Sequence, residues 1–522
     1  MKPQFSPRKP PAASAIVNVA LQPLDRLFTK VYGARWNPIH YSGALAILFF
    51  LILIVTGLYL FLFYSIGDPN ASVGRIQEQV WAGRWIRALH RYASDAAIVA
   101  IVLHAFKMLA EGKTWGPRAV AWISGVVLLA ITLLCGWTGM IMAWDTQGFL
   151  IAYHGARLLD LLPIFSQPIS RSFIQAGAMP MSFFFMNLFL HVALPLGLVF
   201  LLWLHATRVA RPRLLPQKGV AWAAGILLTA VAILWPVPLL PGADLMTIPG
   251  RIEMDLFYAF WIPLAKSVSP GAHLAMWAGV GLAFVSLPWW WRPKNRDIPP
   301  SKVDIDRCTG CTQCYEDCPY DAISMIQRKV PSKLSETVAD VNPDACVSCG
   351  ICAASCAPMG IGPLMQDGRN QLRAAENFIA ATPPNPDTVV VMGCSYAHTE
   401  LLAVPQVVLY STGCSGAVHT SVIELLIRRG YGGVYVLSCG PKDCNFREGP
   451  TWLEQRVFHD REAELKDRVD KQRVFIGMFS KQERAKALDS VREFQAFIAT
   501  LAAPKRDNSP QGEDECTTGD AA

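Results

Sequence analysis

Four histidines fall into two pairs with one internal spacing. His90 and His104 are fourteen residues apart, and so are His191 and His205. Both pairs lie in long apolar stretches. Gly43 with Gly57 and Gly125 with Gly139 repeat the same interval on two other apolar stretches. Fourteen steps of an α-helix end about 40° short of four turns and rise roughly 21 Å. Each pair therefore occupies one helix face at two depths. Two helices offering imidazoles at matching depths can clamp two flat macrocycles, each iron held from both sides. Glycine suits positions where a backbone must approach a haem edge that any side chain would block. The predicted chemistry is one-electron transfer through two b haems. A single histidine in an apolar helix is more often a packed residue than a ligand; the repeated spacing argues for ligation. Arg87 and Lys107, one turn from His90 and His104, are candidates for the haem propionates, with an interfacial anchor as the alternative. His40, His154 and His273 have no partner at that interval and are read as structural.

Cysteine carries a second kind of chemistry. Of 14 cysteines only Cys135 precedes residue 300. One run reads Cys308, Cys311, Cys314, Cys318, followed at once by Pro319; a second reads Cys346, Cys349, Cys352, Cys356, with its proline delayed to Pro358. The C-x2-C-x2-C-x3-C spacing aims three thiolates at one iron–sulfur cube while the fourth ligates the other cube. The first [4Fe-4S] cluster should take Cys308, Cys311, Cys314 and Cys356. The second should take Cys346, Cys349, Cys352 and Cys318. Zinc also accepts four thiolates, but zinc motifs seldom repeat three closely spaced cysteines plus a fourth in both halves. Cys394, Cys414, Cys439 and Cys444 fall just beyond the ends of predicted strands, where sites collect in parallel α/β folds. Together they could hold a small iron–sulfur cluster; buried structural cysteine is the alternative. Such spacings suit metal clusters better than disulfides and place this half in a reducing compartment.

Elements of three types must position these residues. Six stretches are apolar enough to span a bilayer, about 43–64, 86–110, 119–144, 182–207, 219–238 and 271–291, each near or above the ~20 residues required. Ionisable residues within the second span (Arg87, His90, Arg91, Asp95, His104, Lys107) are functional candidates by default. Basic residues cluster before the first span (Arg26, Lys30, Arg35), after the second (Lys107, Lys113, Arg118), after the fourth (Arg208, Arg211, Arg213, Lys218) and after the sixth (Arg292, Lys294, Arg296). All four places lie on one side of a six-span topology, so both termini are expected in the cytoplasm. The second and fourth spans then run the same way. His90 and His191 should hold the outer haem, His104 and His205 the inner one. No cleaved signal peptide is read at the start. Beyond a Pro-rich, charged linker, "TVVVM", "PQVVLY", "GGVYVL" and "RVFIGM" read as buried strands. "SVIELLIRRG", residues 452–471 and "QERAKALDSVREFQAFIATLAA" read as helices, making a parallel-sheet α/β domain.

The expected organisation is a multi-domain chain. A cytoplasmic N-terminal segment (1–42) precedes an all-α transmembrane haem-binding helix bundle (43–295). A small α+β two-cluster iron–sulfur domain (299–366), an α/β parallel-sheet iron–sulfur domain (385–503) and a disordered polar tail with Cys516 (504–522) follow.

Three resemblances sharpen this reading. "WIRALHRYASDAAIVAIVLH", the glycine pairs and "GWTGMIMAWD" resemble cytochrome b of the quinol:cytochrome c oxidoreductase type over its first six helices, residues 25–290. That family exchanges electrons with quinones at two sites, one near each haem. Where it has Pro-Glu-Trp-Tyr before the sixth helix, this chain reads Met254-Asp255-Leu256-Phe257, so Asp255 is the residue implied at the outer quinone site, one methylene shorter and without the aromatic frame. The two four-cysteine runs resemble a bacterial two-cluster ferredoxin. "GCSYAH", "STGCSG" and "LSCGPKDCNFREG" resemble the delta, or iron–sulfur, subunit of methyl-viologen-reducing hydrogenases, which implies one [2Fe-2S] cluster on Cys394, Cys414, Cys439 and Cys444. A further cysteine usual in that family is Val391 here.

No nucleophile–base pair, P-loop or dinucleotide fingerprint is present, and the net charge of +7 includes no basic, aromatic-interleaved patch for nucleic acid. The reading is a quinone-linked oxidoreductase component in a bacterial or archaeal cytoplasmic membrane, with quinone as substrate and its iron–sulfur domains in the cytoplasm. The resemblances imply a hydrogenase, formate dehydrogenase or heterodisulfide-reductase-like flavoprotein as cytoplasmic partner. A homodimer is open. The alternative is a self-sufficient ferredoxin:quinone oxidoreductase.

Overall fold

In a computed structural model, residues 12–163, 167–173, 179–207, 214–246, 255–291, 299–396, 404–440, 444–480 and 482–503 are described. The chain divides into two compact units, one over 10–292 and one over 293–522.

The first unit is helical. In order it comprises α1 (Ala12–Tyr32), α2 (Ser42–Phe63), α3 (Pro69–Glu78), α4 (Gly83–Ala110), α5 (Ala119–Met142), α6 (Thr146–Leu159), α7 (Met181–Thr207), α8 (Lys218–Leu234), α9 (Ile262–Ser267) and α10 (Pro270–Trp290). Helices α2, α4, α5, α7 and α10 are long and apolar enough to cross a membrane. The stretch expected over 219–238 is instead a shorter helix of 17 residues. Pro236, Pro238 and Pro241 follow it closely. Proline lacks the N–H that would continue the ladder and disfavours helical backbone before it, so α8 stops at Leu234. At 17 residues it stands at the lower limit for a span. Helix α2 packs on α4, and α7 on α5. These are the two pairs that bring the spaced glycines to the spaced histidines. The N-terminal segment over 1–42 contains a helix, α1, that packs against α4.

The second unit begins with a small α+β region. Strand β1 (Lys302–Val303) pairs antiparallel with β4 (Ile361–Gly362), and β2 (Ile323–Gln327) with β3 (Thr337–Val341). Between them lie two one-turn helices, α11 (Gln313–Glu316) and α12 (Ile351–Ala354), at corresponding places of the two cysteine runs. After α13 (Gly368–Ala381) comes the α/β region, with β5 (Val389–Cys394), β6 (Val407–Thr412), α14 (Thr420–Arg428), β7 (Gly433–Cys439), α15 (Gly449–Phe458), β8 (Val474–Phe479) and α16 (Arg484–Thr500). All four of its strands are parallel, in the order β6-β5-β7-β8. Side chains alternate between faces along a strand. Val390, Met392, Val434 and Val436 accordingly pack on one side with α14, and Val389, Val391, Tyr435 and Leu437 on the other with α16. The helix expected over 452–471 ends at Phe458. Asp460 and Ala463 then take left-handed backbone at φ 48° and 59°, which turns the chain and delivers Arg461 inward.

Candidate redox centres

The four spaced glycines face the four spaced histidines. A Cβ added at Gly43 would stand 2.9 Å from His104 Nδ1, and one at Gly139 would stand 2.9 Å from His191 Cε1. At Gly57 and Gly125 it would stand 3.3 Å from His90 Cε1 and 3.4 Å from His205 Cε1. Spacing alone puts these glycines against a macrocycle; in the structure each makes room for an imidazole. Every one of these glycines follows a hydroxyl residue, namely Ser42, Thr56, Ser124 and Thr138. Thr56 Oγ1 lies 2.9 Å from His90 Nδ1, Ser124 Oγ 2.9 Å from His205 Nδ1, and Thr138 Oγ1 3.1 Å from His191 Nδ1. Ser42, in the fourth position, is buried. Each of the three bonded hydroxyls donates to a carbonyl of its own helix, from Thr56 to Ile52, from Ser124 to Ala121 and from Thr138 to Cys135. Its lone pairs are left to accept from Nδ1–H. The proton is thereby held on Nδ1 and the lone pair on Nε2, the arrangement a histidine ligand needs.

The His90 and His191 rings face each other with centroids 6.4 Å apart and planes 64° apart. With metal–nitrogen bonds of about 2 Å, two imidazoles on one metal ion have centroids roughly 6–6.5 Å apart. The pair fits an iron between two nitrogens.

The two cysteine runs enclose two cavities of nearly equal size. One, of about 340 Å3 counted with its open mouth, is lined by Cys308, Cys311, Cys314 and Cys356; the other, of about 330 Å3 counted likewise, by Cys318, Cys346, Cys349 and Cys352. The fourth cysteine of each run has crossed to the other run's cavity. Both runs bend alike, with left-handed backbone at Gly310 and Ser348 (φ 68° and 54°) and again at Thr312 and Gly350 (φ 65° and 79°). Among the described residues no three His, Cys, Asp or Glu side chains gather tightly enough for a single ion. Zinc would draw its thiolates to about 2.3 Å from one centre; roomy four-thiol cavities fit a polynuclear cluster. Burial pushes the Cys314 and Cys349 thiols up to about 12 and Cys356 to about 11. Cluster assembly must therefore displace protons from these thiols.

The last four cysteines also converge. Cys394 closes β5, Cys439 closes β7, and Cys414 and Cys444 lie in the loops after β6 and β7. All four are buried. Cys394 Sγ is 3.5 Å from Cys439 Sγ. Cys394 also bonds Cys414, and Cys439 bonds Cys444, giving the line Cys414–Cys394–Cys439–Cys444. The two hydrogen bonds from Cys414 and Cys439 hold the Cys394 thiol well below its ordinary range. Two adjacent thiol pairs match the two-per-iron demand of a dinuclear cluster.

Comparison with known proteins follows the same three parts. Residues 29–211 match the family model of cytochrome b/b6/petB, residues 307–360 that of the 4Fe-4S dicluster domain, and residues 388–502 that of the delta subunit of methyl-viologen-reducing hydrogenase. The chain joins a cytochrome b region to a 4Fe-4S dicluster region and a region similar to that delta subunit. Its cytochrome b region is 26% identical over 156 residues to cytochrome b6 of Gloeobacter violaceus, which covers 30% of this chain and 72% of that protein. It is 29% identical over 148 residues to cytochrome b6 of Mastigocladus laminosus, covering 28% and 69%. A solved structure titled hyperthermophilic respiratory Complex III aligns over 48% of this chain and 75% of its own, at 18% identity and a TM-score of 0.39. The protein is a multi-pass membrane protein with the helical fold expected for haem b binding.

Other predicted residues of the cytochrome b region have partners of their own. Arg87 donates from Nε to Gln77 Oε1 (2.9 Å) and from Nη2 to the Val237 carbonyl (2.7 Å). Lys107 Nζ lies 3.7 Å from Glu111. Asp255 accepts the backbone N–H groups of Phe257 and Tyr258 on Oδ1 and pairs through Oδ2 with Arg91, which also pairs with Asp95. The Arg91 guanidinium stands 5.1 Å from the centre of the Tyr258 ring, and the Tyr258 hydroxyl shares a hydrogen bond with Ser94. His40 pairs with Asp25 at 3.5 Å, and His273 Nε2 accepts from Trp277 Nε1 at 2.7 Å. Met254, the basic residues at 208–213 and 292–296, and Cys516 lie outside the described residues. Sequence reasoning missed Arg91 as the partner of Asp255 and the hydroxyls Thr56, Ser124 and Thr138. The signal for the hydroxyls was present, a Ser-Gly or Thr-Gly dipeptide at all four spaced glycines.

Proposed function

We propose that this chain is a membrane electron-transfer subunit that links a cytoplasmic dehydrogenase, hydrogenase or heterodisulfide-reductase-like complex to the quinone pool. When bound, two b haems, two [4Fe-4S] clusters and one [2Fe-2S] cluster supply carriers that each accept one electron at a time. His90 with His191, and His104 with His205, would hold the haems. The two four-cysteine cavities and the Cys394, Cys414, Cys439 and Cys444 set would hold the clusters. The observation that carries the reading is the coexistence, in one chain, of tautomer-fixed histidines at two depths with twin crossed four-thiol cavities. The chain's own residues orient imidazoles, bury eight of the twelve thiols and keep Nδ1 of His90, His191 and His205 protonated. Quinone would exchange electrons within the cytochrome b region, with Asp255 at its outer site. The iron–sulfur regions and both termini would face the cytoplasm, following the basic loops.

A spectroscopic and metal inventory tests this reading. Anaerobically purified protein should contain two low-spin b haems by pyridine-haem titration and iron and sulfide for all three clusters. His90→Ala or His191→Ala should remove one haem; His104→Ala or His205→Ala should remove the other. A single haem, or zinc in place of iron, would overturn it. The exposed Cys311 at the rim of one cavity favours a second reading, a self-sufficient ferredoxin:quinone oxidoreductase served by soluble donors. Stoichiometric copurification of a cytoplasmic redox protein in mild detergent would decide for the subunit.

A further inference from the structure

The two iron–sulfur regions belong to one compact unit, and their contacts are selective. Cys414 shares an apolar cluster with Val347, Cys349 and Ile351, and these three residues line the cavity of Cys318, Cys346, Cys349 and Cys352. The turn after Cys414 presses on the same loop, because a Cβ at Gly350 would stand 2.9 Å from Ala417 Cβ. Cys308, Cys311 and Cys314 share no apolar cluster with the Cys394 set among the described residues; Cys356, the fourth thiol of their cavity, is reached through its carbonyl, 3.2 Å from His419 Nε2, and not through its sulfur.

Buried charges fix this register. Asp317 and Ser355 each precede a crossing cysteine, Cys318 or Cys356. Both are fully buried, as is Arg456 of α15. Arg456 Nη1 donates to Ser355 Oγ (3.0 Å) and Asp317 Oδ2 (3.4 Å), while Nη2 donates to the Gly416 carbonyl (2.8 Å). Arg461 donates from Nε (3.0 Å) and Nη2 (2.6 Å) to Asp317 Oδ1. Arg447 donates to the Pro319 carbonyl at 3.0 Å. These bonds tie α15 and the turn after Cys414 to the residues just before the two crossing cysteines.

We propose that electrons entering at the Cys394/Cys414/Cys439/Cys444 set pass first to the cluster of Cys318, Cys346, Cys349 and Cys352, and only from there to that of Cys308, Cys311, Cys314 and Cys356. This rests on the reading above that all three sets hold clusters. Each step moves one electron from a reduced to an oxidised cluster, with no bond made or broken. Tunnelling falls steeply with distance, and Cys349 is the cluster thiol that Cys414 packs beside.

Paramagnetic resonance of the full-length protein, reduced stepwise with dithionite, tests the order. The signal of the Cys394 set should be broadened by coupling to a single neighbouring four-iron cluster. Cys311→Ala, at an exposed ligand, should abolish the signal of its own cluster and leave that broadening intact. Cys349→Ala should abolish the broadening. Broadening lost in Cys311→Ala, or absent from unmodified protein with full iron content, would overturn the order. The Cys311 variant and the unmodified protein decide this even if Cys349→Ala does not fold. Iron analysis separates the two levels of failure, since a Cys394 set without iron would overturn the underlying reading instead.

Discussion

At the scale of single residues, the sites of three candidate haem ligands, His90, His191 and His205, are each built from two side chains, a backbone carbonyl and a missing side chain. Imidazole, hydroxyl and helix carbonyl fix the tautomer, and glycine leaves room for the ring. The four glycines differ in how much room they leave. At Gly43 and Gly139 an added Cβ falls 2.9 Å from a ring atom, whereas at Gly57 and Gly125 it falls at 3.3 and 3.4 Å. Overpacking a tight site costs about 1–3 kcal/mol, so Gly43→Ala and Gly139→Ala should each lose the haem of the histidine they face, while Gly57→Ala and Gly125→Ala retain both. Pyridine-haem titration of the four variants checks the ranking; equal loss in all four would contradict it. The hydroxyls carry a separate expectation. Thr56→Val removes the side-chain acceptor of His90 Nδ1–H, and loss of such a partner typically weakens ligation about 10–100-fold. Haem release to an external scavenger should accelerate accordingly, with Thr56→Ser restoring the slow rate. At this scale the candidate ligands are legible in the sequence because a period of fourteen needs only helix geometry. The tautomer-fixing role of the hydroxyls is not, because Ser-Gly and Thr-Gly acquire it only once α2 is known to lie on α4 and α5 on α7.

At the scale of elements, periodicity predicts the long helices and buried strands, and contacts far along the chain decide the exceptions. Helix α8 is cut short by prolines visible in the sequence, yet its apolar content reads as a longer span. Helix α15 stops at Phe458 so that Arg461 can reach Asp317, a partner 144 residues away that no local pattern announces. The cysteine runs are the opposite case. Their crossing is implied by spacing alone, and the structure brings the same two sets of four around separate cavities. The α15 clamp supplies an energetic expectation. Arg456→Met removes the guanidinium from Ser355 Oγ and the Gly416 carbonyl while Asp317 keeps Arg461, so the cost should stay within the about 3–5 kcal/mol of breaking a buried pair outright. Thermal unfolding of the iron–sulfur unit in the full-length protein, followed by cluster absorbance, should shift to markedly lower temperature. Arg456→Lys, with no planar fork to serve both partners and Gly416, should fall between the two. An unchanged transition would mean that the α15 clamp contributes no net stability.

At the scale of the whole molecule, the proposed function puts quinone exchange at one face of the membrane or the other. The outer candidate, Asp255, is not a free carboxylate. Its two oxygens are occupied by backbone N–H groups and by Arg91, so a quinol proton arriving there must compete with an ion pair. On the proposed reading, two depths of histidine would nevertheless carry electrons across the bilayer, since a carrier confined to the inner face would need only one. If the outer site works, each electron delivered from the cytoplasmic side crosses the membrane field, at ~2.3 kcal/mol per 100 mV. Quinone reduction in liposomes, driven from the cluster side, should then change rate with an imposed potential. Asp255→Asn keeps an oxygen to accept the Phe257 and Tyr258 N–H groups but removes the charge opposite Arg91. It should slow quinone turnover while leaving haem content unchanged. Turnover indifferent both to the potential and to Asp255→Asn would place the reaction on the inner face, and the outer histidine pair would then serve as an electron reservoir.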